Sequence, residues 1–93
     1  MIRSFADKST ERLWNREKVP AVDPRVQKAA LRKLAHIHAA RVLESLRVPP
    51  GNRLEALKGD RAGQYSIRVN DQWRICFTWR DGGAENVELV DYH

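Results

Sequence analysis

The hydrophobic pattern changes period once along the chain. Residues 1–48 are rich in Ala, Leu, Arg and Lys, with helical spacing plain from Pro24 on, and over residues 64–93 apolar positions alternate with polar ones. Between them stands Pro49-Pro50-Gly51-Asn52, which cannot continue a helix and reads as a turn. Ile2–Phe5 reads as a short first strand. Asp7 or Ser9 is placed to cap a short helix from about Lys8 to Lys18, stopped ahead of Pro20. Asp23-Pro24 supplies an N-cap and a proline at the first helical position. From there the pattern stays helical for about six turns, with Leu31, Leu34, Ala35, His38, Val42 and Leu46 on one stripe.

Beyond the turn, Tyr65, Ile67 and Val69 alternate with Ser66, Arg68 and Asn70. A tight Asn70-Asp71 turn leads to Trp73, Ile75, Phe77 and Trp79, alternating with Arg74, Cys76, Thr78 and Arg80. Asp81-Gly82-Gly83 supplies the positive φ values of a second hairpin turn. Residues 84–92 make a third strand with Val87 and Leu89 inward. The predicted class is α+β, with two N-terminal helices packed on one face of a small antiparallel sheet. The other face, carrying Arg68, Arg74, Cys76 and Thr78, is predicted to be open.

Length and composition narrow the function. Ninety-three residues suit a single domain over 1–93, and a 42% hydrophobic, 31% charged composition is that of a globular chain. No apolar run approaches the ~20 residues of a membrane span, and the N-terminus shows no apolar signal segment. A cytoplasmic location without membrane contact is therefore expected. One cysteine, Cys76, excludes an internal disulfide framework and a Cys-rich zinc site. The net charge of +5 is uneven: the first fifty residues hold eleven basic and five acidic side chains. Such a balance favours nucleic-acid contact. Arg25, Arg32 and Arg47, on one side of the long helix, are candidates for contact with a nucleic-acid backbone, although a charged helix face is ordinarily just solvated.

The candidate chemistry needs no metal and no cofactor. His36 and His38 are two apart on a helix and cannot share an ion. His38 lies on the apolar stripe and reads as a core histidine, His36 as a solvated one, and Cys76 as a packed, inert thiol. Arg68 and Arg74 stand on neighbouring strands, and the chain ends Asp91-Tyr92-His93 on the last strand. RNA brings its own nucleophile, the 2′-hydroxyl. An enzyme must remove its proton, steady charge on the phosphate and protonate the departing 5′-oxygen. His93 or Asp91 can serve as base, Lys58 and Arg74 as phosphate clamps with Arg68 beside them, and Tyr92 as an orienting group.

The segment Leu57-Lys58-Gly59-Asp60-Arg61-Ala62-Gly63-Gln64-Tyr65-Ser66-Ile67-Arg68-Val69-Asn70, with Asp71-Gln72-Trp73-Arg74-Ile75-Cys76-Phe77 and the terminal Val90-Asp91-Tyr92-His93, resembles the HigB-type toxins of bacterial type II toxin–antitoxin modules. These belong to the RelE/ParE superfamily. The resemblance implies an endoribonuclease with a microbial-ribonuclease-like fold that cuts messenger RNA on the ribosome. It also implies a HigA-type antitoxin with a helix-turn-helix domain, and contact with operator DNA only through that antitoxin. Carried over by motif, it implicates Lys58, Arg74, Asp91, Tyr92 and His93. Some members have a His within a His-Pro-Leu-Lys run where this chain reads Glu55-Ala56-Leu57-Lys58. Glu55 can transfer protons only where cations shield it from the phosphate, so His93 is expected to carry more of that work. A ParE-like gyrase inhibitor and a non-catalytic RNA- or protein-binding module remain the alternatives.

Overall fold

The computed structural model describes residues 1–91. Helix α1 spans Lys8–Trp14 and α2 spans Pro24–Ala39, followed by 3₁₀ turns at Leu43–Arg47 and Pro50–Asn52. Strands β1 (Glu55–Ala56), β2 (Tyr65–Arg68), β3 (Trp73–Arg80) and β4 (Gly83–Asp91) form one antiparallel sheet in that spatial order. Both helices lie on one face, and Leu13, Ala30, Leu34, Ile37, Ile67, Ile75, Phe77 and Val87 join in a single core between the layers. The α+β architecture expected from the pattern is the one observed.

Several predicted boundaries shift, each for a local reason. Helix α1 stops at Trp14 because Arg16, at φ 64°, closes it: Arg16 N donates to Leu13 O at 3.0 Å and Glu17 N to Arg12 O at 2.9 Å. That bonding is a Schellman motif without the glycine that usually announces one. Asp7 occupies the N-cap, yet its side chain makes no capping hydrogen bond, and Glu11 N donates instead to the Asp7 carbonyl. Asp23 does cap α2, accepting from Arg25 N at 2.7 Å.

The largest correction concerns α2. A helix from Pro24 to Leu46 would be about 34 Å long, more than the 31 Å longest extent of the molecule. Helix α2 instead ends at Ala39, and the chain folds back so that Leu46 enters the core from a 3₁₀ turn, 2% exposed. The buried stripe is Ala30, Leu34 and Ile37. Ala35 and His38 are exposed, and so is Val42. Arg47 leaves α2 altogether.

His38 is thus no core residue, although one ring nitrogen is satisfied: Nδ1 accepts from Ile2 N at 3.1 Å, and the ring lies 5.2 Å from Trp14. The expected first strand reduces to two parallel bridges, Ile2 with Ala84 and Phe5 with Val87, which cover the outer edge of β4.

The long hairpin follows its sequence closely. Asp81 (φ 51°) and Gly82 (φ 75°) form a two-residue turn of the kind that matches strand twist. Gly83 has another reason: a Cβ there would meet the Arg3 guanidinium at 2.7 Å, and that guanidinium donates to the carbonyls of Arg80 and Asp81. Opposite Phe77 the β4 register slips by one residue, and Asn86, at φ 53°, is the extra one. The bulge returns Val87 to the core and puts Glu88 on the face opposite the helices. Among the described residues, no helix is long and apolar enough to cross a membrane.

Candidate active site

The face of the sheet away from the helices is built from two rows set by strand register. One row runs Glu55, Ser66, Cys76, Glu88, and the next runs Arg68, Arg74, Val90. Two arginines directly opposite each other on an antiparallel pair repel. They part by taking different partners: Arg68 pairs with Asp71 in the hairpin loop, and Arg74 leans toward β1. There Arg74 Nε donates to Ser66 Oγ at 2.8 Å and a terminal nitrogen donates to the Arg53 carbonyl at 2.7 Å. Glu55 stands 3.9 Å away. The Arg74 side chain is only 11% exposed, and these bonds fix its guanidinium in direction.

This face is less open than the strand pattern implies. Ser66 and Cys76 are buried. Arg61, from the loop ahead of β2, reaches Glu88 two strands away at 3.2 Å and donates to Gln64 at 3.0 Å, so it spans the row above Cys76. Burial raises the Cys76 thiol, and Arg61 opposes that rise. The thiol stays protonated and packed, as expected for an inert cysteine. Lys58 is exposed and opens the same loop, which turns through the 3₁₀ segment Gly59–Arg61. The lysine and Arg74 therefore sit on elements flanking β2, with Arg61 between them in sequence.

The other candidates distribute unevenly. Asp91 is paired with Trp73 and Arg74 with Val90, so pleat alternation assigns Asp91 to the helix side of β4. Gln72 Nε2 donates to its carboxylate at 3.1 Å. The expectation that Asp91 lies beside the arginines is corrected by that register. Tyr92 and His93 lie outside the described residues. Arg32 is exposed on α2, and Arg25 is exposed at its N-terminus, 3.5 Å from Asp23. Arg47 pairs with Glu44 at 2.6 Å on the 3₁₀ turn, so the three do not share one side of a single helix. Among the described residues no group of three His, Cys, Asp or Glu side chains can hold a metal ion.

Where α2 meets the edge of β2, cations crowd. Burial lowers the Lys33 ammonium, and Arg32 and Arg68 lower it further. His36 is not the solvated residue its polar-face position predicts: it is half-buried, with an Nδ1 that has no hydrogen-bond partner among the described residues. Burial, then Lys33 and Arg32, depress its pKa below the usual 6.5. A base with a depressed folded-state pKa binds fewer protons than in the unfolded chain, so stability is full above 6.5 and falls as the pH drops toward the lowered value. His36→Gln removes that penalty. In paired thermal melts the variant is expected to gain on the natural chain as pH falls from about 7 to 5, across the ordinary histidine range. An offset that stays constant with pH overturns the assignment.

Arg61, Ser66, Glu88 and the Arg53 carbonyl border this face without being candidates in the sequence. Glu88 alternates out of the core with Val87 and Leu89, a signal available in the pattern. Arg61 and the Arg53 carbonyl come from irregular backbone and leave no periodic trace.

The model of the family described as RelE-like toxin of type II toxin–antitoxin system HigB matches residues 3–93. Toxin HigB-1 of Vibrio cholerae is 42% identical over 90 residues, 96% of this chain and 95% of that protein. Endoribonuclease HigB of Proteus vulgaris is 46% identical over 41 residues, 44% of this chain and 45% of that one. The fold is similar to the YoeB–YefM complex from Staphylococcus aureus, with a TM-score of 0.57 and 19% identity over 100% of this chain and 98% of that one. It is also similar to the YoeB/ParE toxin from Agrobacterium tumefaciens, with a TM-score of 0.50 and 19% identity over 99% of each chain. On the family match and the nearly full-length kinship with a HigB toxin, this chain belongs to the RelE-like HigB toxins of type II toxin–antitoxin systems.

Proposed function

We propose that this toxin is a ribosome-dependent endoribonuclease that cuts messenger RNA by metal-independent attack of the 2′-hydroxyl on its neighbouring phosphate. The observation that carries the reading is Arg74, a largely buried guanidinium fixed by Ser66 and the Arg53 carbonyl on the face that Lys58 borders. A fixed cation suits charge that develops on a phosphate in the transition state, because it needs no rearrangement at that moment. Kinship with a relative named endoribonuclease supports the same chemistry.

In this mechanism a base takes the proton from O2′, the O2′–P bond forms, and the P–O5′ bond breaks as an acid returns a proton to O5′. The products are a 2′,3′-cyclic phosphate and a 5′-hydroxyl. Lys58 and Arg74 hold the phosphate oxygens. His93 supplies proton transfer, with Tyr92 orienting the base or ribose and Asp91 steadying the end of β4 from its far face. Glu55 is a poor base here, since its carboxylate lies against the cation that must meet the phosphate. Arg32, Arg25, Arg47 and Arg68 contribute to backbone contacts on the ribosome. The partner that silences the toxin is a HigA-type helix-turn-helix antitoxin, which alone touches operator DNA, and the system works in the cytoplasm. Solved relatives described as toxin–antitoxin complexes support an antitoxin partner.

Expression of the chain alone is expected to arrest bacterial growth and to leave message fragments ending in 2′,3′-cyclic phosphate. His93→Ala, or truncation before Asp91, is expected to restore growth. A truncated chain that stays folded and fully toxic would place the chemistry elsewhere, and arrest without RNA cleavage would favour a gyrase-type target.

A further inference from the structure

The two neutral partners of Arg74 are themselves held by a chain of contacts that leads to α2. Ser66 is fully buried, so its hydroxyl has no solvent alternative to the Arg74 Nε–H. The Arg53 carbonyl is aimed by a left-handed backbone, φ 47° and ψ 54°, a conformation that costs an ordinary L residue energy and persists only when its surroundings enforce it. Asn52 enforces it. This asparagine is 0% exposed. Its Nδ2 donates to the Leu46 carbonyl at 3.1 Å and more weakly to that of Val48 at 3.4 Å, and its backbone N–H donates to Pro49 O at 2.9 Å. Its Oδ1 accepts from Lys33 Nζ on α2. A buried asparagine at a turn ordinarily does no more than hold the turn. Here the next carbonyl along the backbone ends on the guanidinium.

We propose that Asn52 and Ser66 are positioning residues for Arg74: Asn52 acts through the Arg53 carbonyl, Ser66 acts directly, and Lys33 ties the turn to α2. The proposal rests on the reading of Arg74 as the phosphate partner. Arg74 is a long side chain with many rotamers on a face rich in alternative acceptors, Glu55 and Glu88 among them. Two neutral acceptors from β2 and the 3₁₀ turn fix its direction more closely than Glu55 does, at 2.8 and 2.7 Å against 3.9 Å. A carboxylate in either place would compete with the substrate.

The test is single-turnover cleavage of ribosome-bound message by the purified full chain. It compares Ser66→Ala, Asn52→Ala, Lys33→Met and Arg74→Ala, and each of the first three combined with Arg74→Ala. Ser66→Ala and Asn52→Ala are expected to slow cleavage at saturation roughly tenfold, the scale of a misplaced reacting group, and to move half-saturation much less. Lys33→Met, one step further out, should slow it about threefold, the scale of one lost hydrogen bond. None of these losses should appear in the Arg74→Ala background, because residues that act through one group do not add. Full rates at saturation in the single variants, or losses that persist without Arg74, overturn the proposal. If Arg74→Ala itself cleaves normally, the reading of Arg74 has failed first. Should Asn52→Ala not fold, Ser66→Ala and Lys33→Met decide, since neither empties a large buried volume.

Discussion

Lys58→Ala and Arg74→Ala are each expected to lower the single-turnover rate of message cleavage by roughly 10²-fold or more, the scale of losing one partner to transition-state charge. Affinity for the ribosome should fall far less, because phosphate contacts are shared among seventeen Lys and Arg side chains. Arg32→Ala, on the exposed face of α2, should show the reverse: weaker binding, and a nearly normal rate once bound. The two cations should also differ from each other. Arg74 is fixed and mostly buried, so its loss also strands Ser66 and the Arg53 carbonyl, and Lys at that position cannot hold both. Lys58 is exposed on a loop, so Lys58→Arg should retain much of the rate. If both alanine variants lose affinity yet cleave at the natural rate when saturated, the face is a docking surface only.

What the sequence revealed of this arrangement follows the regularity of the backbone. The β2–β3–β4 meander is legible because alternation is strict from Tyr65 to Trp79 and because Asp81-Gly82 announces its own turn. The Asp23-Pro24 start of α2 is equally plain. Its end is not, since Ala39 and Ala40 carry no breaking signal and the helical pattern runs on through Leu46. The helix ends where Ala40 turns extended, at φ −68° and ψ 132°, which no residue type there announces. Strand β1 escapes for the opposite reason: two exposed residues, Glu55 and Ala56, are too few to show a period.

The site divides along the same line. Arg68 and Arg74 are visible as polar positions of regular strands, and Lys58 through its motif. The bonds that aim Arg74 run through a carbonyl, a turn and a buried asparagine, none of which has a pattern in the chain. A terminal triplet looks like one cluster in the chain, whereas the pleat sends neighbours such as Val90 and Asp91 to opposite faces.

The core beneath this face sets the other large effect. Phe77 lies on β3 with no exposed surface, its ring 6.3 Å from Tyr65 and 6.4 Å from Trp79, opposite the β4 bulge that returns Val87 to the core. Phe77→Ala removes most of a buried ring where the sheet and helices meet, which costs about 3–5 kcal/mol. Domains of this kind are stable by only about 5–15 kcal/mol in total. The melting temperature is therefore expected to fall by roughly 15 °C or more, with Phe77→Leu recovering a good part of it. Cys76→Ala, one residue away and also buried but on the other face, removes a single small atom and should cost about 1 kcal/mol. Toxicity in Phe77→Ala cells should fall in step with the amount of folded chain, while the rate per folded molecule stays near normal at low temperature, because the Arg74 contacts lie across the sheet. Melting within a few degrees of the natural chain would mean that β3 is not the strand on which the two layers close.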